Sequence, residues 1–139
     1  MQLKYPWLVA LLTDPSTPEP LETQFCSGAL VASKYVVTTA QCVHSHTPTS
    51  LYGLLGDPDG EHSQILSFSN IMVHENYTAS SETDNIAVLK LTTNVDMNIY
   101  TPVCLAEPRD GEVLGGVVGQ VYEHGSGERN YQVRFYSYA

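Results

Sequence analysis

Short runs of apolar residues, most of them alternating with polar ones, recur along the chain and are separated by turn-forming residues. Alternate side chains of a strand face opposite sides of a sheet, so this pattern predicts strands at residues 7–13, 25–32, 35–39, 51–56, 64–74 and 86–91. No segment carries the sustained three-and-four spacing of a long amphipathic helix. Six short strands predict an all-β fold, a six-stranded antiparallel β-barrel whose closure removes exposed strand edges. The connections read as surface: "TDPSTPEPLETQ" is rich in Pro and Thr, "GDPDGEHS" is an acidic turn, and "ENYTASSETD" is crowded with hydroxyl side chains. Residues 113–138 again alternate apolar and polar positions around "HGSGERN", which predicts a C-terminal β-hairpin with a Gly-rich turn. The expected organisation is a barrel over 1–108 followed by an extension over 109–139.

Composition narrows this picture. The chain has 139 residues, 42% hydrophobic and 15% charged, which fits one core-forming domain. The net charge is -9, and the six basic residues are scattered, so nucleic acid and anionic membrane surfaces are excluded as expected partners. No apolar run approaches the roughly 20 residues that span a bilayer, so no membrane insertion is expected. In "KYPWLVALL", Pro6 interrupts the apolar run and no small-residue cleavage site follows, so it reads as a strand rather than a leader. Three cysteines are an odd number: one pair closes a loop, and one is left free or bonded to another segment. Asn76-Tyr77-Thr78 is a glycosylation sequon, which fits a secreted chain.

Five motifs then occur in one order. "PWLVALL" and "FCSGALVASKYVVTTAQCV" are similar to P-W-x-V-x-L, C-G-G-x-L-I and V-L-T-A-A-H-C. "NIMVHENY" is similar to I-x-x-H-P-x-Y, "DNIAVLKL" to N-D-I-A-L-L-K-L, and "YTPVCLAEP" to I-x-P-V-C-L-P. Together they resemble the first of the two β-barrels of the trypsin/chymotrypsin-like serine protease domain, across residues 5–108. The resemblance implies a disulfide between Cys26 and Cys42 pinning the loop of the catalytic histidine; two reduced core cysteines are the alternative. It also implies that Cys104 bonds to an upstream pro-region or regulatory segment. "VVGQV" is faintly similar to V-x-G-W-G, so 109–139 reads either as a covering hairpin or as the start of a truncated second barrel.

Serine-protease catalysis needs a nucleophilic serine, an imidazole that takes and returns its proton, and a carboxylate that orients the imidazole. The position resembling the histidine holds Gln41, whose carboxamide does not titrate near neutral pH. Aligned on the apolar strand, Asn85 falls at the aspartate position and Asp84 at the asparagine before it. A slip of one residue turns a side chain to the other face, so Asp84 is not expected to substitute unless the backbone bulges. An amide at position 85 could still bond to Gln41, but it would orient no imidazole. These 139 residues contain neither G-D-S-G-G nor I-V-G-G, and "GSG" at 125–127 reads as a turn. No catalytic residue, metal or cofactor is therefore expected.

Other candidates read as structural. His44 and His46 would share one face of a strand, as a zinc pair might, but solvated loop histidines are the favoured reading. Asp57, Asp59 and Glu61 sit where some relatives of the resembled family bind calcium, and read as surface charge. His74 is expected to pack or hydrogen-bond rather than act as a base, and Tyr131, Tyr136 and Tyr138 read either as a cover for the barrel, the favoured reading, or as a partner surface. The resulting expectation is a secreted, non-catalytic serine protease homologue that binds a protein partner, a protease or receptor of an extracellular cascade. The alternatives are a fragment of a larger protease-like protein, and half of a protease completed by another chain.

Overall fold

A computed structural model describes residues 6–56, 63–80, 83–103, 117–121 and 131–135. Six strands form a closed antiparallel barrel: β1 (Leu8–Leu12), β2 (Gln24–Ala32), β3 (Tyr35–Thr38), β4 (Tyr52–Leu55), β5 (Gln64–Val73) and β6 (Ala87–Leu91). Their order around the barrel is β1-β2-β3-β6-β5-β4. Each strand lies within two residues of its predicted bounds. Farther along, β7 (Val117–Val121) and β8 (Tyr131–Phe135) pair antiparallel as a two-stranded sheet. The residues between them, including the expected Gly-rich turn, lie outside the described residues.

Alternation sorts the core. Leu66 and Phe68 of β5, and Ala87, Leu89 and Leu91 of β6, project into one interior cluster with Leu30 and Val36. Strand β1 departs from alternation because "LVALL" is buried at all five positions. Val9 and Leu11 fill the interior, whereas Ala10 and Leu12 pack outside the barrel against Leu54 and Leu21. Leu21 belongs to a 3-10 turn, Pro20–Thr23, inside the stretch whose composition predicts an exposed connection. A turn that carries one leucine back onto β1 explains why a strand with two apolar faces is stable in water.

Two glycines make the interior fit. A Cβ on Gly28 would lie 2.8 Å from Val36 Cγ1, and one on Gly53 would lie 3.0 Å from Val9 Cγ1. Both glycines therefore let neighbouring strands and the Phe68 ring approach closely. Irregular register between Leu11 and Leu12, Leu30 and Ala32, and Phe68 and Asn70 bends the strands as a small closed barrel requires.

Antiparallel pairing decides what meets at the barrel end. Thr38 at the end of β3 and Val73 at the end of β5 both pair with Ala87 at the start of β6. The segments that follow β3 and β5 and the one that precedes β6 therefore converge. Val73 and Ile86 border this end at 37% and 38% exposure, leaving apolar surface beside it.

Candidate functional site

The segment after β3 is a single helical turn, α1 (Ala40–Val43), where the sequence pattern had suggested a loop. Ala40 and Val43 face inward and are buried, while Gln41 is exposed between them. The first N–H groups of a helix have no partner within it, and here two find one outside. Thr39 caps the turn, its hydroxyl oxygen accepting from the Cys42 N–H at 3.4 Å. Asn85, 44 residues farther along the chain, accepts the Gln41 N–H on its Oδ1 at 2.8 Å. Asn85 thus bonds the backbone of Gln41, a narrower result than the side-chain amide contact the sequence left open. Cys42 is tied to Cys26 of β2 by a disulfide with a Cα–Cα distance of 6.1 Å, which fastens the turn to the barrel wall from a second direction.

Asp84 takes the left-handed backbone region with φ 58°, a conformation that Asp tolerates better than most side chains. The Ile86 N–H donates to the Asp84 carbonyl at 2.9 Å, so the chain turns tightly just before β6. This turn directs the Asp84 carboxylate to His74, with Oδ1 3.9 Å from Nε2. His74 Nδ1 in turn accepts the Asn76 N–H at 3.1 Å, which puts the proton of the neutral ring on Nε2, facing Asp84. The sequence reading of His74 as a hydrogen-bonding residue agrees with this geometry, but its partners were not foreseen. The signal was available in the adjacency of "DN" to the strand that pairs with β5.

The family model for Trypsin matches residues 2–137. The chain belongs to the trypsin family. It is 33% identical over 111 residues to a venom protease of Bombus pensylvanicus, covering 73% of this chain and 44% of that protein. It is 32% identical over 89 residues to the serine protease Hayan of Drosophila melanogaster, covering 60% of this chain and 14% of that protein. To phenoloxidase-activating factor 3 of Holotrichia diomphalia it is 30% identical over 131 residues, covering 81% of this chain and 37% of that protein. The chain thus spans less than half the length of each of these relatives. Its fold is similar to that of the VesB protease of Vibrio cholerae, with a TM-score of 0.64 and 24% identity, over 74% of this chain and 31% of that one.

For a trypsin-family barrel, the side-chain chemistry at this end is notable. Among Gln41, Asn85, Asp84 and His74, the two residues joined by a short hydrogen bond are carboxamides, and the imidazole and carboxylate lie on the neighbouring loop. Gln41 can donate and accept hydrogen bonds, but it cannot shuttle a proton near neutral pH. His44 and His46 do not share a strand face, because they follow a helical turn. His44 sits against Tyr77 with ring centroids 5.6 Å apart, whereas His46 stacks on Phe25 at 4.7 Å and meets Ser50 Oγ at 3.3 Å. Each ring thus has its own aromatic partner, and the zinc pairing that a strand would allow is not formed. Among the described residues, no group of three or more His, Cys, Asp or Glu side chains comes together. Cys104 and the acidic residues Asp57, Asp59 and Glu61 lie outside the described residues, as do Tyr136 and Tyr138, while Tyr131 opens β8.

Proposed function

We propose that this trypsin-family domain is a non-catalytic serine protease homologue, a binding or regulatory module of an extracellular proteolytic cascade. The observation that carries the reading is that the two residues joined where Asn85 Oδ1 accepts the Gln41 N–H both bear carboxamides. At the positions that resemble the family's base and its orienting acid stand two carboxamides, and Asn85 is committed to holding the backbone of α1. Gln41 offers no imidazole to orient, and the neutral Asn85 carboxamide carries no charge that would stabilise an imidazolium. The end of the barrel is thereby kept in shape without proton-transfer chemistry, leaving a polar, hydrogen-bonding surface bordered by Val73 and Ile86.

The extracellular setting is supported by the Cys26–Cys42 disulfide, since such bonds persist in oxidising compartments, and by relatives named as venom proteases. No helix among the described residues is long and apolar enough to cross a membrane. The partner is a protein of the same cascade, a protease or its receptor, and Cys104 bonds to another segment. The resemblance of "YTPVCLAEP" to the family's P-V-C-L segment supports this last point.

The test is made on the native-length secreted protein. It is incubated with a serine-reactive fluorophosphonate and with peptide amide substrates, then added to an active trypsin-family protease of the same fluid. The expected results are no labelling and no turnover, together with a changed rate of the added protease on its own protein substrate. Turnover abolished by the fluorophosphonate would overturn the non-catalytic reading.

A further inference from the structure

We infer that Asn76 carries an N-linked glycan, which shields the loop beside the Gln41–Asn85 surface; this rests on the extracellular reading above. Of the six asparagines in the chain, Asn76 alone is followed at the second position by Ser or Thr. Such a tripeptide is commonplace, so the fold has to decide whether it is usable. Asn76 and Thr78 are both exposed, while Tyr77 between them is half-buried and packs on the core. The Tyr77 N–H donates to the His74 carbonyl at 3.0 Å and the Asn76 N–H to His74 Nδ1 at 3.1 Å, so the loop is a hydrogen-bonded turn rather than part of a ladder. A sugar on Asn76 displaces nothing from the core and interrupts no strand pairing.

Its position gives the glycan a consequence. Tyr77 rests against His44, and His44 caps the C-terminal end of the turn that carries Gln41. A bulky hydrophilic group attached one residue from Tyr77 stands at the rim of this surface and over the exposed Glu75. It keeps a protein partner from approaching across the 74–80 loop and leaves the β6 side of the barrel end open. Chemically, the Asn76 carboxamide nitrogen bonds to the anomeric carbon of a lipid-linked oligosaccharide. The bond from that carbon to the pyrophosphate oxygen breaks, the lipid pyrophosphate leaves, and the amide proton passes to a base of the transferring enzyme.

The full chain is expressed in insect cells behind a secretion leader, so entry into the secretory route is supplied whatever the native address. Peptide mass mapping is done on medium and cell pellet together. The expected result is a glycosidase-sensitive mass on the peptide containing Asn76, lost in both Thr78→Ala and Asn76→Gln. Glutamyl endopeptidase should cleave after Glu75 slowly in the glycosylated protein and fast in Thr78→Ala. Disulfide-intact protein with an unmodified Asn76 would overturn the inference, and equal cleavage of the two forms would overturn the shielding. The extracellular reading is tested separately by locating the native protein, so the two can fail independently.

Discussion

The bond from Asn85 to the backbone of Gln41 makes a quantitative prediction about which carboxamide matters to the fold. Asn85→Ala removes the acceptor of a 2.8 Å hydrogen bond and strands a first-turn N–H of α1. A net hydrogen bond contributes about 1 kcal/mol, and loss of a helix-capping acceptor costs roughly 0.5–2 kcal/mol. Asn85 is only half-buried, so water can partly replace it, and a loss of about 1 kcal/mol is expected. Asn85→Asp keeps an oxygen at the same place and puts a negative charge near the N-terminal end of the turn, so its cost should be close to zero. Gln41→Ala removes an exposed side chain but leaves the N–H in place, so it should stay within about 0.5 kcal/mol of the parent. Urea unfolding of the disulfide-intact chain reads all three, followed by the fluorescence of Trp7, the single tryptophan, which packs on the core. If Gln41→Ala costs as much as Asn85→Ala, the side-chain amide carries the contact and the reasoning is wrong.

Other consequences can be checked with the same protein. Replacing Cys26 and Cys42 together by serine frees a loop with a sequence separation of 16 and should lower stability by about 3 kcal/mol, seen as a shift of the urea midpoint. Leu89→Ala empties a fully buried interior position and should cost roughly 2–5 kcal/mol by the same measurement. Gly28→Ala forces a Cβ to 2.8 Å from Val36 and 3.0 Å from the Val37 carbonyl oxygen, so a loss of about 1–3 kcal/mol is expected, partly recovered in combination with Val36→Ala. The Asp14 carboxyl is held below its ordinary value by the Ser16 hydroxyl and the Ser16 N–H, both donating to Oδ1 at 2.6 and 2.9 Å. Its contribution to stability is present above the unfolded carboxylate pKa and fades as pH falls through the lowered folded value. An NMR titration of Ser16→Ala should therefore show the Asp14 midpoint move upward.

Much of this molecule is determined by its sequence alone, because strand formation in a barrel depends on local alternation. The runs ending at Leu12, Thr38 and Leu91 alternate or stay apolar over their own length, and turn residues bound them, so six strands and an all-β fold follow from residues within a few positions of one another. The positions of Gln41, Asn85 and the cysteines were legible for the same reason, since short ordered motifs fix them. Tertiary structure decided the partners. Asn85 meets Gln41 from 44 residues away only because antiparallel pairing brings the end of β3 to the start of β6. Asp84 faces His74 because the backbone turns to φ 58° there, an event that no periodicity records. The helical turn at Ala40–Val43 is too short to show a period of its own, and it exists because Thr39, Asn85 and the disulfide hold it from outside. Local pattern therefore specified which segments become strands, while long-range closure of the barrel specified which side chains face one another.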